Sequence, residues 1–269
     1  MSKKIKTFLM YLVLILVSFI SIFPIFWMVV AATNKSVDVI GGKLTFGTYL
    51  IENYKTLVSQ QPLWENFWNS CKYTIAVTVF ALIVSSLAGY GFEIYKSKGK
   101  EKVYAIVLMT MMIPFVALMV PLFRMYSKLG LLNTVLGFML PSLATPLLIM
   151  MFRTNAKAFP VSMIEAARID GLSEIGIFLK MYIPSMKSVF AAAGVVTFMN
   201  SWNNFLWAKV IMSDTSTQTM PMMISNLTSG YKTDYGMLML AVLITTIPTA
   251  IVFFALQKNF VEGITGSVK

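Results

Sequence analysis

Residues 8–32 read FLMYLVLILVSFISIFPIFWMVVAA, 25 positions without one charged side chain. A helix rises about 1.5 Å per residue, so about 20 apolar residues cross a hydrocarbon core about 30 Å thick. The stretch is long enough to span a membrane. Five more charge-free stretches of that length follow: Tyr73–Phe92, Val103–Phe123, Leu129–Phe152, Ser188–Ala208 and Tyr235–Gln257. Six such segments predict an all-α membrane protein with six transmembrane helices, organised as one transmembrane domain over residues 1–269.

Composition agrees. Of 269 residues, 57% are hydrophobic and 12% charged, with mean hydropathy +0.75. A soluble domain carries about 25% charged residues, so this chain has too few to cover a water-facing surface. Lys3, Lys4 and Lys6 before the first stretch give it the look of a secretion signal. Its apolar run is longer than such signals use, and no small-residue cleavage site follows cleanly. It reads as a retained first span.

The formal net charge is +11, from 22 Lys and Arg against 11 Asp and Glu. These cations sit between apolar runs rather than in one patch, which argues against nucleic acid as a partner. They also orient the chain. With the N-terminus in the cytoplasm, 14 of the 22 fall in cytoplasmic segments, which include Lys96–Lys102 and residues 153–187. Positive residues concentrate inside, so both termini are expected in the cytoplasm. The outer segments lie near 33–72, 124–134 and 209–234.

The cytoplasmic segment 153–187 is the most informative. From Phe159 it runs FPVSMIEAARIDGLSEIGIFLKMYIP. Ser162 and Glu165 have the spacing of a capping box, which predicts a short helix from Ser162. Gly171 is placed to end it, Ser173 to cap a second helix, and Pro184 to stop or kink that one. Ala166 and Ala167 give the first helix a slim side, while Met163, Ile164 and Ile169 supply apolar contact area. A knob of this kind leaves apolar surface in the cytoplasm unless a partner covers it. A hairpin lying flat on lipid is the alternative.

Glu165-Ala166-Ala167, three residues, Gly171, nine residues, then Met181-Tyr182-Ile183-Pro184 resembles the EAA motif, E-A-A-x3-G-x9-I-x-L-P, of ABC-importer permeases. Met181 and Ile183 replace the usual Ile and Leu. Asn53-Tyr54, Asn69-Ser70, Ser201–Trp207 and the terminal run Gln257–Lys269 are similar to the carbohydrate-uptake branch, which includes the second permease of the maltose importer. The resemblance implies the type I importer permease fold, with 162–183 as a coupling-helix hairpin between spans four and five. Ser162, Met163, Glu165, Ala166, Ala167, Asp170, Gly171 and Pro184 would then couple to the ATPase. Gly263, Thr265, Gly266 and Lys269 would belong to a C-terminal tail that enters it, and Ser213–Tyr235 to a loop that reaches a binding protein.

The implied partners are a second, homologous permease, a cytoplasmic ATP-binding subunit dimer, an extracytoplasmic solute-binding protein, a sugar and the membrane lipid. The implied location is the bacterial inner membrane. The chain itself is expected to bind no cofactor, ATP and Mg belonging to the ATPase. The solute is expected to be an oligosaccharide, with a glycerol phosphate or another small polar solute as the alternative.

Within span five, Thr197, Asn200, Asn204 and Trp207 recur at spacings of three and four residues and so share one side of a continuous helix, with Asn203 beside them. Thr245, Thr246 and Thr249 make a weaker stripe in span six. Polar side chains in a span face a bundle interior or a water-filled path, and amides with an indole suit sugar hydroxyls and ring faces. Interhelical hydrogen bonding is the other role open to them.

Several chemistries are excluded. There is no histidine and one cysteine, Cys71, so no disulfide within the chain, no His-based triad and no multi-cysteine metal site can form. No G-x-x-x-x-G-K-[ST] phosphate loop occurs. The spans carry no intramembrane carboxylate relay, since Glu93 and Lys209 fall near span ends where water is expected to reach them. A gradient-driven carrier is therefore the weaker alternative, and energy is expected from a separate subunit.

Overall fold

The computed structural model describes residues 3–230 and 233–265. Among these the chain is helical, without strands. The N-terminal part runs α1 (Lys3–Ala32), α2 (Ser36–Ile40), α3 (Leu50–Gln60) and α4 (Leu63–Ile94). Next come α5 (Lys98–Met109), α6 (Phe115–Lys128), α7 (Val135–Met139) and α8 (Pro146–Ala156). The expected hairpin region holds α9 (Val161–Ile169), α10 (Glu174–Ile177) and α11 (Ile183–Ser185). The remainder is α12 (Lys187–Trp202), α13 (Phe205–Ile211), α14 (Met220–Thr228) and α15 (Tyr235–Thr265).

Three helices are long and apolar enough to cross a membrane unbroken: α1, α4 and α15, with mean hydropathies of 2.7, 2.0 and 2.4 over their most apolar windows. The third and fourth expected spans are broken within, and a further bend falls at Met186, just before the fifth. Lys98–Met112 and Phe115–Lys128 meet at 101°, Val135–Ser142 and Pro146–Ala156 at 51°, and Glu174–Ser185 and Lys187–Trp202 at 81°. Counting each bent pair once brings the total to six.

Proline accounts for two of the breaks. The residue before a proline is pushed out of the helical region, and Ile113 before Pro114 and Thr145 before Pro146 are both extended, with ψ of 117° and 130°. Pro24, Pro121 and Pro248 stay inside helices. The expected span Ser188–Ala208 is also interrupted, because α12 ends at Trp202 and α13 starts at Phe205.

The chain divides into two compact units, Met1–Glu65 with Met220–Ile247, and Asn66–Thr219 with Pro248–Lys269. In the first, α1 carries large apolar side chains exposed from Phe8 (67%) to Phe26 (42%). Leaving such side chains in water costs roughly 1.5–3 kcal/mol each, so this surface belongs in lipid or against another apolar surface.

Past α1 a polar knot closes the same unit. The Asn53 amide donates to the carbonyls of Ala32 (2.9 Å) and Asn34 (3.0 Å), and the Asn34 amide to those of Val30 (2.9 Å) and Thr45 (2.8 Å). Gly236 comes so close that a Cβ there would lie 2.4 Å from the Asn34 carbonyl oxygen.

The second unit is built on a core of Tyr90, Leu148, Phe152, Phe159, Ile164, Ala167, Ile177, Phe178 and Tyr182 with the small residues Ala81 and Ala193. Gly89 lets α4 approach α8, since a Cβ there would lie 2.6 Å from that of Phe152. Glu93 is largely withdrawn from water, one of its oxygens meeting the exposed Lys96 at 2.5 Å. It is buried and accepts from Arg153 Nε at 3.3 Å, while Arg153 Nη2 donates to Glu101 at 2.6 Å and the guanidinium stacks 4.0 Å over Tyr104. The cost of burying the carboxylate is offset by a buried cation.

Candidate functional site

Two features of the second unit carry functional potential: the 159–186 hairpin and a polar cavity. In the hairpin, α9 starts at Val161 behind extended Pro160, one residue earlier than expected, and no side chain caps it. The Ser162–Glu165 capping box does not form. Pro160 supplies the first carbonyl, taking the Met163 N–H at 3.1 Å, and its fixed φ starts the helix.

The far end follows expectation. Gly171 has φ +80°. Its N–H donates to the Arg168 carbonyl (3.1 Å), and the Leu172 N–H to that of Ala167 (3.0 Å). These two bonds make the paired helix stop that a left-handed residue permits. Ser173 then caps α10, accepting the Gly176 N–H at 3.2 Å.

The hairpin has two faces. Ile164 and Ala167 point inward, 1% and 3% exposed, so neither offers contact area. This corrects the contact area expected of Ile164 and the slim outward side expected of Ala167, and it arises because they lie three apart on the core-facing side of α9. Outward stand Val161, Met163, Ile169 (86% exposed), Ile175 and Leu179. Glu165, Ala166, Asp170 and Gly171 are exposed too. Pro184 lies in α11, and the chain turns at Met186 two residues later.

Tyr182, the second residue of the Met181–Pro184 run, anchors the hairpin. Its ring is fully buried, 4.8 Å from Tyr90, 5.4 Å from Phe178 and 5.7 Å from Phe159. A polar clasp closes the other side. Arg168 Nε donates to Glu174 at 2.7 Å, and the Tyr95 hydroxyl donates to the same carboxylate. Hydrogen bonding to Glu174 raises the Arg168 pKa further above its ordinary value. Sequence reasoning missed Tyr95, Glu174 and Tyr182, since nothing in their spacing says that they meet.

The cavity, of about 280 Å³, is lined by Val77 of α4, by Ser142, Thr145, Leu147 and Leu148 around the α7–α8 break, and by Val196, Thr197, Asn200, Ser201 and Asn204. Three of the five expected pathway residues therefore share it. Trp207 does not line it. Its indole is fully buried, donates to the Gly137 carbonyl at 3.3 Å and packs against Phe115 and Tyr126. Asn203 is turned aside, its amide donating to the Met199 carbonyl.

The stripe fails beyond Asn204 because the helix breaks there, between α12 and α13. Asn204 starts α13 by accepting the Trp207 N–H at 3.2 Å. The Thr197 hydroxyl donates back to Ala193 and those of Thr245 and Thr246 to Ala241 and Val242, all four residues earlier in their own helices. Trp207 bonds to another helix, through its indole N–H to Gly137 of α7. In the C-terminal tail, Gly263 and Thr265 lie in α15, while Gly266 and Lys269 lie outside the described residues.

Comparisons with known proteins give the family and the fold. The family model for the binding-protein-dependent transport system inner membrane component matches residues 81–266. The chain is 45% identical to the lactose transport system permease protein LacG of Rhizobium radiobacter, over 99% of this chain and 98% of that one. It is 34% identical to the arabinooligosaccharides transport system permease protein AraQ of Halalkalibacterium halodurans, over 94% and 93%. A solved chain of a bacterial ABC transporter involved in import of the acidic polysaccharide alginate superposes with TM-score 0.82, covering 97% of this chain and 99% of that one at 21% identity.

Proposed function

The chain belongs to the family of binding-protein-dependent transport system inner membrane components, and from that premise we propose that it moves a neutral sugar across the inner membrane as one permease subunit of an ATP-driven importer. The observation that carries the sugar is the 45% identity to a lactose permease along nearly the whole chain, supported by the arabinooligosaccharide permease. Both relatives favour a sugar over a glycerol phosphate.

The chain is a membrane component, and chemistry belongs to other subunits. A cytoplasmic ATPase dimer carrying ATP and Mg would seat the exposed apolar face of the hairpin, Met163, Ile169 and Ile175 flanked by Glu165 and Asp170. Nucleotide-driven closure would push on α9, and the Gly171 stop and the Tyr182 anchor would pass the push to α4 and α8. The clasp of Arg168, Glu174 and Tyr95 would keep the hairpin one body while it moves. Alternating access between two packed arrangements follows from such rigid-body motion. A second, homologous permease would complete the path, an extracytoplasmic binding protein would deliver the sugar, and both termini would face the cytoplasm.

The test is mild-detergent purification of the tagged chain from its own host, mass spectrometry of what accompanies it, and sugar uptake after reconstitution. Recovery of a second permease and a Walker-motif ATPase, with uptake that requires ATP, is expected. Recovery of this chain alone, transporting without ATP, overturns the proposal in favour of a gradient-driven carrier.

A further inference from the structure

The turn between α4 and α5 is short and basic. Residues 93–102 hold four lysines and two glutamates, and both carboxylates are already engaged. Glu93 pairs with Arg153 and Lys96, and Glu101 with Arg153. Lys100 sits 5.1 Å over the Tyr95 ring. That leaves Lys98 and Lys102. Both are exposed, and neither has a hydrogen bond, ion pair or ring contact among the described residues.

These two lysines share one side of α5. They lie four residues apart, about one turn and about 6 Å along the axis. Ile106 comes four residues after Lys102 and Met109 three after Ile106, so the same side continues as an apolar stripe. Ile106 and Met109 are each 57% exposed. The opposite side is the one that packs. Tyr104 lies against Phe92 of α4 and beneath the Arg153 guanidinium, next to the Glu101 pair. Docking through Tyr104 and Glu101 therefore turns Lys98, Lys102, Ile106 and Met109 away from the chain.

Depth selects the occupant. The charge-free run starts at Val103, which puts Lys102 at the edge of the hydrocarbon and Lys98 at most about 6 Å above it. The headgroup layer is about 5–7 Å thick on each side of the core. Both ammonium groups thus stand at the level of lipid phosphates, with Ile106 and Met109 at the level of acyl chains. A water-soluble partner would have to enter that layer to reach them. The chemistry that fits is an anion joined to hydrocarbon.

We propose that Lys98 and Lys102 hold the phosphate of an anionic phospholipid of the cytoplasmic leaflet, with an acyl chain lying along Ile106 and Met109. Zwitterionic lipids carry their own cation beside the phosphate, so the lysine pair discriminates against them. The site requires the chain in the membrane with this turn on the cytoplasmic side, and it goes beyond the importer reading because neither sugar nor ATPase takes part in it.

The test uses the purified complex in phosphatidylcholine nanodiscs containing a trace of phosphatidylglycerol with a photoactivatable diazirine in its acyl chain. Irradiation followed by peptide mass spectrometry should place crosslinks within residues 103–109. Each lysine at an anionic surface contributes about a fivefold preference, so Lys98→Gln with Lys102→Gln should cut the yield about twentyfold. Lys98→Arg with Lys102→Arg should keep it. Lys100→Gln with Lys157→Gln removes as much charge from other exposed positions and should leave the yield unchanged, which separates a site from general surface charge.

Equal loss in the two glutamine variants overturns the site, and so does a phosphatidylcholine probe that labels 103–109 as strongly. Displacement of the probe by excess inorganic phosphate would make this a site for free anions and overturn the lipid. Absence of any crosslink within 103–109 would mean that protein, the second permease included, covers the stripe, and overturns it as well. ATP-dependent sugar uptake is measured in parallel in proteoliposomes of the same lipids. Uptake without crosslinking strikes the lipid site alone, whereas crosslinking without uptake strikes the importer reading and leaves the site standing.

Discussion

Gly171 and Arg153 show how single positions combine local chemistry with burial. At Gly171 a Cβ would meet nothing within 4 Å, so a larger residue is not refused for lack of space. Its φ of +80° is the obstacle, and forcing a β-branched residue there costs about 1–2 kcal/mol or redirects the chain. Gly171→Val should leave the complex assembled but cut ATP-dependent uptake at least tenfold, as measured in proteoliposomes; unchanged uptake would disconnect the hairpin from transport. Arg153 is a different case, a cation with a 9% exposed side chain holding a carboxylate that is 6% exposed. Arg153→Met should lower thermal stability in detergent by the equivalent of about 3 kcal/mol, because the buried Glu93 loses its buried partner and keeps only the exposed Lys96, at 2.5 Å. The double variant Glu93→Leu with Arg153→Met should regain much of that loss.

Among the elements, the hairpin and the knot after α1 owe their shape to a few local bonds. Ser173 caps a four-residue helix, and removing a cap costs about 1 kcal/mol. Ser173→Ala should therefore raise amide hydrogen exchange at residues 174–177 about fivefold, read by mass spectrometry. Equal exchange in both proteins would mean that packing of Ile177 and Phe178 alone holds α10. Gly236→Val would drive a side chain into the Asn34 carbonyl and the Asn53 amide, and the folded yield in detergent should collapse. The Asn53 amide carries two of the knot's bonds, which gives a physical role to an asparagine that the sequence marked only by resemblance. Elsewhere, helix breaks were partly legible: Pro114 and Pro146 stood in view, whereas the stop at Asn203–Asn204 had no proline to announce it.

Across the molecule, apolar surface and charge together set the orientation expected of the chain. The surface of α1 is apolar from Phe8 to Phe26, while the cations cluster in segments expected inside. Ile169→Cys in the Cys71→Ala background should react with a membrane-impermeant maleimide in inside-out vesicles and not in right-side-out ones. The reverse pattern would invert the topology and separate the hairpin from any cytoplasmic ATPase.

The sequence by itself determined that the chain is helical and lives in a membrane, because about 20 uncharged apolar residues in a row leave little other choice. It also located the hairpin, since the Gly171 stop and the Ser173 cap are local events decided within a few residues. Three outcomes belonged to tertiary structure alone: the side of α9 that faces the core, the pairing of Glu93 with Arg153, and the separation of Thr197, Asn200 and Asn204 from Trp207. Each depends on residues far apart in the chain meeting across a packed interior, or on a helix stopping where its own sequence would have let it continue. Spacing along a chain describes one regular element at a time, and it cannot say where that element ends or what is packed against it.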